Sequence, residues 1–100
     1  MKNVNKTNIN EIFEYDINNN DFIINIIDNL VNGNYVESFY ISSIDFKNSN
    51  DEDEKNEILD YLEIEIFLIL ENEVEALEFY YNNIEHFKGE IIKSISVLEV

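Results

Sequence analysis

The sequence contains no cysteine, no proline and no arginine, and it has only two glycines and one histidine. The lack of cysteine excludes disulfides and thiolate chemistry. The two glycines, Gly33 and Gly89, stand too far apart to form a glycine-rich phosphate-binding loop. The longest apolar stretch, residues 66–70, has five residues, whereas a membrane-spanning helix needs about 20. The N-terminal residues show no signal peptide pattern, so we expect a cytoplasmic protein.

Positive charge is scarce as well. Six lysines stand against 22 acidic residues, which gives a net charge of −16. Phosphate recognition needs clustered Lys and Arg, so direct binding to nucleic acid or to an anionic membrane surface is excluded. A charge excess of this size opposes compaction. It favours a surface that meets a basic partner, although an acidic surface that serves only solubility is the simpler alternative.

The chain is nevertheless apolar enough to fold. Hydrophobic residues make up 45% of its 100 residues and aromatic residues 13%, which is too much for a disordered acidic tail. This length supports one hydrophobic core. We therefore predict a single acidic domain over residues 1–100. The abundance of Asn and Ile suggests an AT-rich genome, bacterial or phage.

Two helices are predicted in the first third of the chain. The first begins at Asn8, whose side chain can cap the helix, and Glu11 completes the capping pattern. The second covers residues 21–32, and Gly33 follows in the position of a left-handed C-terminal cap. Its apolar residues recur at helical spacing: Phe22, Ile23, Ile26, Ile27 and Leu30.

Alternating patterns predict two strands. Residues 35–46 carry apolar side chains at both parities, which is typical of a strand covered on both faces. In residues 61–70 every even-numbered position is apolar, as in a strand with one face in the core. Between the two strands, residues 47–55 are predicted to form a polar loop that runs into a short helical turn at residues 56–60. The even-numbered positions are Leu62, Ile64, Ile66, Leu68 and Leu70.

A third helix is predicted after a turn at residues 71–73, and Gly89 is predicted to end it. Residues 90–100 fit either a helix or a strand, and their Ser, Ile and Val content favours the strand. The predicted fold is α+β, in the order α-α-β-β-α-β, with the helices on one face of a small, mainly antiparallel sheet. The core-facing positions of the third helix are Val74, Leu77, Tyr81, Ile84 and Phe87. The strand at 61–70 is predicted to pack against Phe22, Ile26, Ile27, Leu77 and Ile84.

Catalytic and metal-binding patterns are weak. His86 is the single histidine, and we expect it to be partly exposed near a helix C-terminus. An EF-hand loop that started at Asp51 would require Gly at its sixth position and Glu at its twelfth, where this chain has Asn56 and Leu62. We expect no enzymatic activity and no cofactor.

The acidic residues are concentrated in one segment. Residues 51–78 contain twelve acids and a single lysine, Lys55. Acidic side chains steer a basic partner, and aromatic side chains supply contact area. The candidate partner-binding residues are Asp51, Glu52, Asp53, Glu54, Glu57, Asp60, Tyr61, Glu63, Glu65, Glu75, Glu78 and Tyr80.

Residues 61–87 resemble the immunity proteins of bacterial contact-dependent ribonuclease toxins. In that group an alternating strand leads into an acidic turn, and a helix with an acid–aromatic pattern such as Glu78-Phe79-Tyr80 follows. The resemblance implies that the protein neutralises a basic toxin nuclease by covering its active site. Two alternatives stay open: a phage-encoded nucleic-acid mimic that inhibits a CRISPR or restriction nuclease, and an acidic adaptor or structural subunit.

Overall fold

The computed structural model describes residues 20–33 and 35–99, and this part of the chain is all-helical, without a β-strand. The predicted α+β fold, with its antiparallel sheet, is therefore wrong. The helix predicted to begin at Asn8 lies outside the described residues. The helices are α1 (Asn20–Val31), α2 (Glu37–Asn48), α3 (Glu52–Leu70), α4 (Val74–Asn82) and α5 (Ile84–Ser96).

The predicted second helix is confirmed as α1, and the five apolar residues predicted at helical spacing are buried, whereas Ile24 is 46% exposed. Gly33 follows α1 with a φ of 80°, as predicted for a left-handed cap. Its backbone N–H donates to the Leu30 carbonyl at 3.3 Å. A Cβ atom added to Gly33 would lie 2.9 Å from Cγ of Tyr40, so both the backbone conformation and the space favour glycine here.

Residues 35–46, predicted as a strand, instead enter the helix α2. Phe39 and Ser43 are its buried positions, and Val36 at its N-terminal cap is also buried; the spacing of three and four residues is helical. The helix was not predicted from the sequence because Ser43, a serine at a core position, breaks the apolar pattern. Its hydroxyl is satisfied inside the helix, since it donates to the Phe39 carbonyl at 2.8 Å.

Residues 61–70, the clearest predicted strand, form the second half of α3. Ile66 is fully buried, whereas Ile64 is 56% exposed, and no strand with one buried face could separate these two residues. The helix is capped at Asp51 and contains neither glycine nor proline, so no residue stops it before the turn at 71–73. The loop predicted at residues 47–55 covers only residues 49–51 in the structure. The buried positions of α3 are Leu59, Leu62, Ile66, Ile69 and Leu70.

The predicted third helix begins at Val74 as expected but ends at Asn82, and α5 continues from Ile84 through Gly89. The strand predicted over residues 90–100 is therefore wrong. Asn83 separates the helices: its backbone N–H donates to the Tyr80 carbonyl at 3.1 Å, and its side-chain amide donates to the Phe79 carbonyl at 2.9 Å.

The described helices share one hydrophobic core. α1 packs mainly against α5 and α2, α2 packs against α3, and α4 joins α3 and α5. An aromatic cluster seals the α1, α4 and α5 contact: the ring centroids of Phe22 and Phe79 are 5.6 Å apart, and those of Phe79 and Phe87 are 6.2 Å apart. Of the core residues predicted in the strand at 61–70, Leu62 and Ile66 are buried while Ile64 and Leu68 are exposed. Their predicted partners belong to the core or pack against it: Phe22, Ile26, Ile27, Leu77 and Ile84. One side of α3 is left open to solvent.

Candidate protein-binding site

The acidic run at residues 51–54 forms the N-terminus of α3. Oδ1 of Asp51 accepts a hydrogen bond from the Asp53 backbone N–H at 3.0 Å and thus caps the helix. Glu52, Asp53 and Glu54 occupy the first turn. Negative side chains at this end are favourable because the helix N-terminus carries partial positive charge. These acids therefore stabilise α3 whether or not they also meet a partner.

Replacing Asp51 with alanine should lower the free energy of unfolding by about 0.5–2 kcal/mol, since the N-terminal cap is lost. Asp51→Asn is the matched control because asparagine caps equally well and removes only the charge. Urea denaturation of both variants checks this prediction. If both lose the same stability, the charge of Asp51 matters and its capping bond does not.

The outer side of α3 carries a row of exposed carboxylates. Asp53, Glu57 and Asp60 are all exposed, and their spacing of four and three residues places them on one side of the helix. We call these three residues the acidic face. Glu57 and Asp60 lie beyond the first turn, and like charges three and four residues apart on a helix repel one another, so these two residues do not stabilise α3.

A groove of about 520 Å³ runs between α2 and α3 beside the acidic face. Three of its lining residues are acidic: Asp45, Glu54 and Glu57. The hydroxyl of Ser49 donates to Oε1 of Glu54 at 2.5 Å, which fixes that carboxylate at the rim. The groove offers oxygen acceptors to a lysine or arginine side chain. The lining residues are Ser42, Asp45, Asn48, Ser49, Glu54, Glu57, Ile58 and Tyr61.

Glu63 and Glu65 do not belong to the acidic face, contrary to the strand prediction that placed both on one exposed face. Both are half-buried and point to different sides of α3. Oε2 of Glu63 lies 3.4 Å from the Lys88 ammonium of α5. Glu65 accepts hydrogen bonds from the Ser38 hydroxyl of α2 at 3.0 and 3.1 Å. Their role is to join helices.

The two candidate tyrosines differ in exposure. Tyr61 is 44% exposed, and its hydrogen bond to the Glu65 carboxylate, together with the charge of that group, raises the pKa of Tyr61. Tyr80 is only 3% exposed, and burial, with the nearby Glu63 charge, raises the pKa of Tyr80 to about 12. Tyr80 is thus a core residue and not an interface residue, while Tyr81, predicted for the core, is 54% exposed.

Glu75 and Glu78 are exposed on α4, as predicted. Glu78 lies one turn before Tyr81, and the Tyr81 ring centroid is 6.5 Å from that of Phe67 on α3. The acidic side of α4 therefore borders the outer side of α3. The structure brings Glu78 near this surface, whereas Glu63, Glu65 and Tyr80 are turned away from it.

Sequence reasoning missed four residues of this surface: Asp45 in the groove, and Ile64, Phe67 and Leu68 on the outer side of α3. Ile64, Phe67 and Leu68 are all exposed. The pattern that finds them is the buried set 59, 62, 66 and 69, whose spacing of three and four residues assigns residues 64, 67 and 68 to the opposite side. Asp45 could be assigned to the groove only by knowing that α2 packs against α3, which the sequence does not reveal.

Most lysines of the described residues make contacts within the chain. Lys47 donates to the Ser96 carbonyl at 2.7 Å, and Lys55 lies 5.3 Å from the centroid of the Phe46 ring. Lys88 pairs with Glu63. The only lysine between residues 51 and 78 is thus directed toward Phe46, and none of these three contacts involves the acidic face.

Moderate salt should raise the melting temperature, because the net charge of −16 is carried on a 100-residue chain. Raising ionic strength from about 0.01 M to about 0.15 M shortens the Debye length from about 30 Å to about 8 Å, which screens the self-repulsion. Differential scanning calorimetry at the two salt concentrations measures the shift. An unchanged melting temperature would mean that repulsion among the carboxylates does not limit stability.

In the described part of the chain, the histidine, the acidic clusters and the helix lengths give no evidence of another kind of site. His86 lies in the first turn of α5 and not at a helix C-terminus as predicted, and its Nε2 is 3.9 Å from Oε2 of Glu90. Among residues 20–33 and 35–99, no three His, Asp or Glu side chains converge in a way that could hold a metal ion. None of the helices in the described residues has the length and apolarity needed to cross a membrane.

The fold and the site thus define a small acidic helical domain whose outer surface on α3 combines carboxylates with exposed apolar side chains. Comparison of the chain with protein-family models, with curated proteins and with solved structures found no match.

Proposed function

We propose that this protein is a cytoplasmic inhibitor of the immunity type, which binds a basic toxin nuclease through the outer surface of α3 and covers the nuclease active site. The observation that carries the proposal is the acidic face, Asp53, Glu57 and Asp60, next to the groove that contains Asp45 and Glu54. This surface presents several carboxylates to solvent within one helix length.

The physical argument rests on long-range attraction. A surface lined by one sign of charge steers an oppositely charged partner and raises the association rate by about 10- to 1,000-fold. Glu57 and Asp60 repel each other and Asp53 along the helix, so these two residues are better explained by a partner than by the fold. The inhibitor needs no catalytic group, since occupying the active site of the nuclease is sufficient.

A nucleic-acid mimic is the second candidate, because carboxylates on successive turns of α3 imitate a row of phosphates. A mimic binds a groove that evolved for phosphates, and such a groove is basic and polar and offers few contacts to apolar side chains. Ile64 and Leu68, exposed on the same side of α3 as the acidic face, favour contact with a protein surface that contains apolar residues. This observation ranks the inhibitor of the immunity type first.

Affinity purification of the tagged chain from its native host, followed by mass spectrometry, tests the proposal. We expect one Lys- and Arg-rich protein whose nuclease activity disappears when the purified chain is added in equal amount. A mimic would instead compete with added nucleic acid for a CRISPR or restriction nuclease. Recovery of neutral or acidic proteins without nuclease activity would support an adaptor subunit and contradict the proposal.

A further inference from the structure

Five large apolar or aromatic side chains lie exposed next to the acidic face. We call them the apolar strip: Tyr61, Ile64, Phe67, Leu68 and Tyr81. All five are at least one-third exposed, the lowest value being 37% for Phe67. The two helices that carry them, α3 and α4, supply their buried apolar residues from their other sides, so the core does not need these five side chains.

The strip is continuous. Ile64 is three residues from Tyr61 and four from Leu68, and such pairs are neighbours on a helix surface. Phe67 connects the strip to α4, since its ring centroid is 6.5 Å from that of Tyr81 at an interplanar angle of 44°. Single exposed apolar side chains are ordinary on protein surfaces, whereas a continuous patch marks an interaction site.

Charge decides which occupant fits the strip. Asp60 precedes it on α3, Glu71 follows it, and Glu78 adjoins Tyr81 on α4; all three acids are exposed. A second copy of the chain would bring a further net charge of −16 against these acids, which disfavours a homodimer. A partner whose apolar side chains are surrounded by Lys or Arg matches both the strip and its acidic border.

We propose that the apolar strip is the desolvated centre of the interface and takes a cluster of apolar side chains that lysines or arginines surround on the partner protein. This inference rests on the proposed function and adds the chemistry of the partner. The acidic face and the strip then have separate tasks. Acids govern the rate of association, and buried apolar contacts govern the rate of dissociation.

Two helical peptides of equal charge serve as probes: one built from Lys and Leu, and one in which every Leu is Ala. Fluorescence anisotropy measures the affinity of each peptide for the full chain. The Lys–Leu peptide should bind about tenfold more tightly or better, because burying one aliphatic side chain is worth about that factor. Ile64→Ser/Leu68→Ser should abolish this gain and leave the affinity for the Lys–Ala peptide unchanged.

The matched control is Ile41→Ser/Ile92→Ser, which removes two aliphatic side chains of similar exposure, 48% and 44%, from α2 and α5. It should keep the full gain. Circular dichroism establishes that both double variants are folded. The inference is overturned if the two peptides bind the parent chain equally, if Ile64→Ser/Leu68→Ser keeps the gain, or if the control loses it as well.

A photo-crosslinking residue at position 68 of the full chain identifies the occupant. Cross-linking to the Lys–Leu peptide supports the inference. Cross-links between two copies, or to residues 1–19 of the same chain, that the peptide does not displace would contradict it.

Glu57→Gln/Asp60→Asn separates the inference from the proposed function. This variant should weaken both peptides by the same factor. If it weakens neither, the proposed function fails. If it weakens both while the gain from leucine is absent, the proposed function stands and only this inference fails.

Discussion

Replacing Ile66 with alanine should lower the free energy of unfolding by about 2–5 kcal/mol, the usual cost of truncating a buried aliphatic side chain. Ile66 is fully buried in α3 and belongs to the hydrophobic core. Urea denaturation followed by circular dichroism measures the loss, and the midpoint should fall without a change in slope.

Ile64→Ala is the matched control. It makes the same chemical change two residues away, but Ile64 is 56% exposed, and substitutions at exposed sites usually change stability by less than about 0.5 kcal/mol. Only a helix separates these two positions, since a strand would place both in the core. Equal losses for the two variants would contradict the helical structure of α3.

The sequence was sufficient to locate α1 but not α3, and the reason is visible in their apolar residues. In residues 21–32 the apolar side chains at 22, 23, 26, 27, 30 and 31 recur at helical spacing, and only Ile24 departs from it. In residues 61–70 seven of ten positions are aliphatic or Phe, which fits both periods. Ile prefers strands, but Asp51 caps a helix at Glu52 and no Gly or Pro interrupts that helix before Leu70. Residues 61–70 therefore continue as a helix.

The candidate site was predictable in part. Asp53, Glu57, Asp60, Glu75 and Glu78 are exposed as predicted, because acidic side chains without partners stay in solvent under any secondary structure. The predicted exposure of Glu63 and Glu65 was wrong because it depended on the predicted strand at 61–70. Tyr80 and Tyr81 exchanged roles, since α4 turns Ala76 and Tyr80 toward the core and leaves Val74, also predicted for the core, 74% exposed.

Reversing Glu57 and Asp60 to lysine should slow association with the basic partner by about 10- to 1,000-fold at low salt and should abolish protection of cells against it. Both residues are exposed and take no part in the core, so the variant should fold. Stopped-flow measurements of association at several salt concentrations provide the test, since screening should shrink the difference between the variant and the parent.

Asp28→Lys/Glu99→Lys makes the same change in net charge at exposed positions outside α3 and α4. It should retain most of the parental association rate. If both double reversals slow association equally, the partner responds to total charge and the acidic face has no special role.

Carboxyl footprinting of the complex tests the central claim most directly. A carbodiimide couples a small amine to accessible Asp and Glu side chains, and mass spectrometry reads the extent at each residue. We predict that labelling of Asp53, Glu57 and Asp60 falls when the basic partner is bound, while labelling of Asp28 and Glu99 is unchanged. Unaltered labelling of the acidic face, with protection elsewhere on the chain, would contradict the claim that the outer surface of α3 is the binding site.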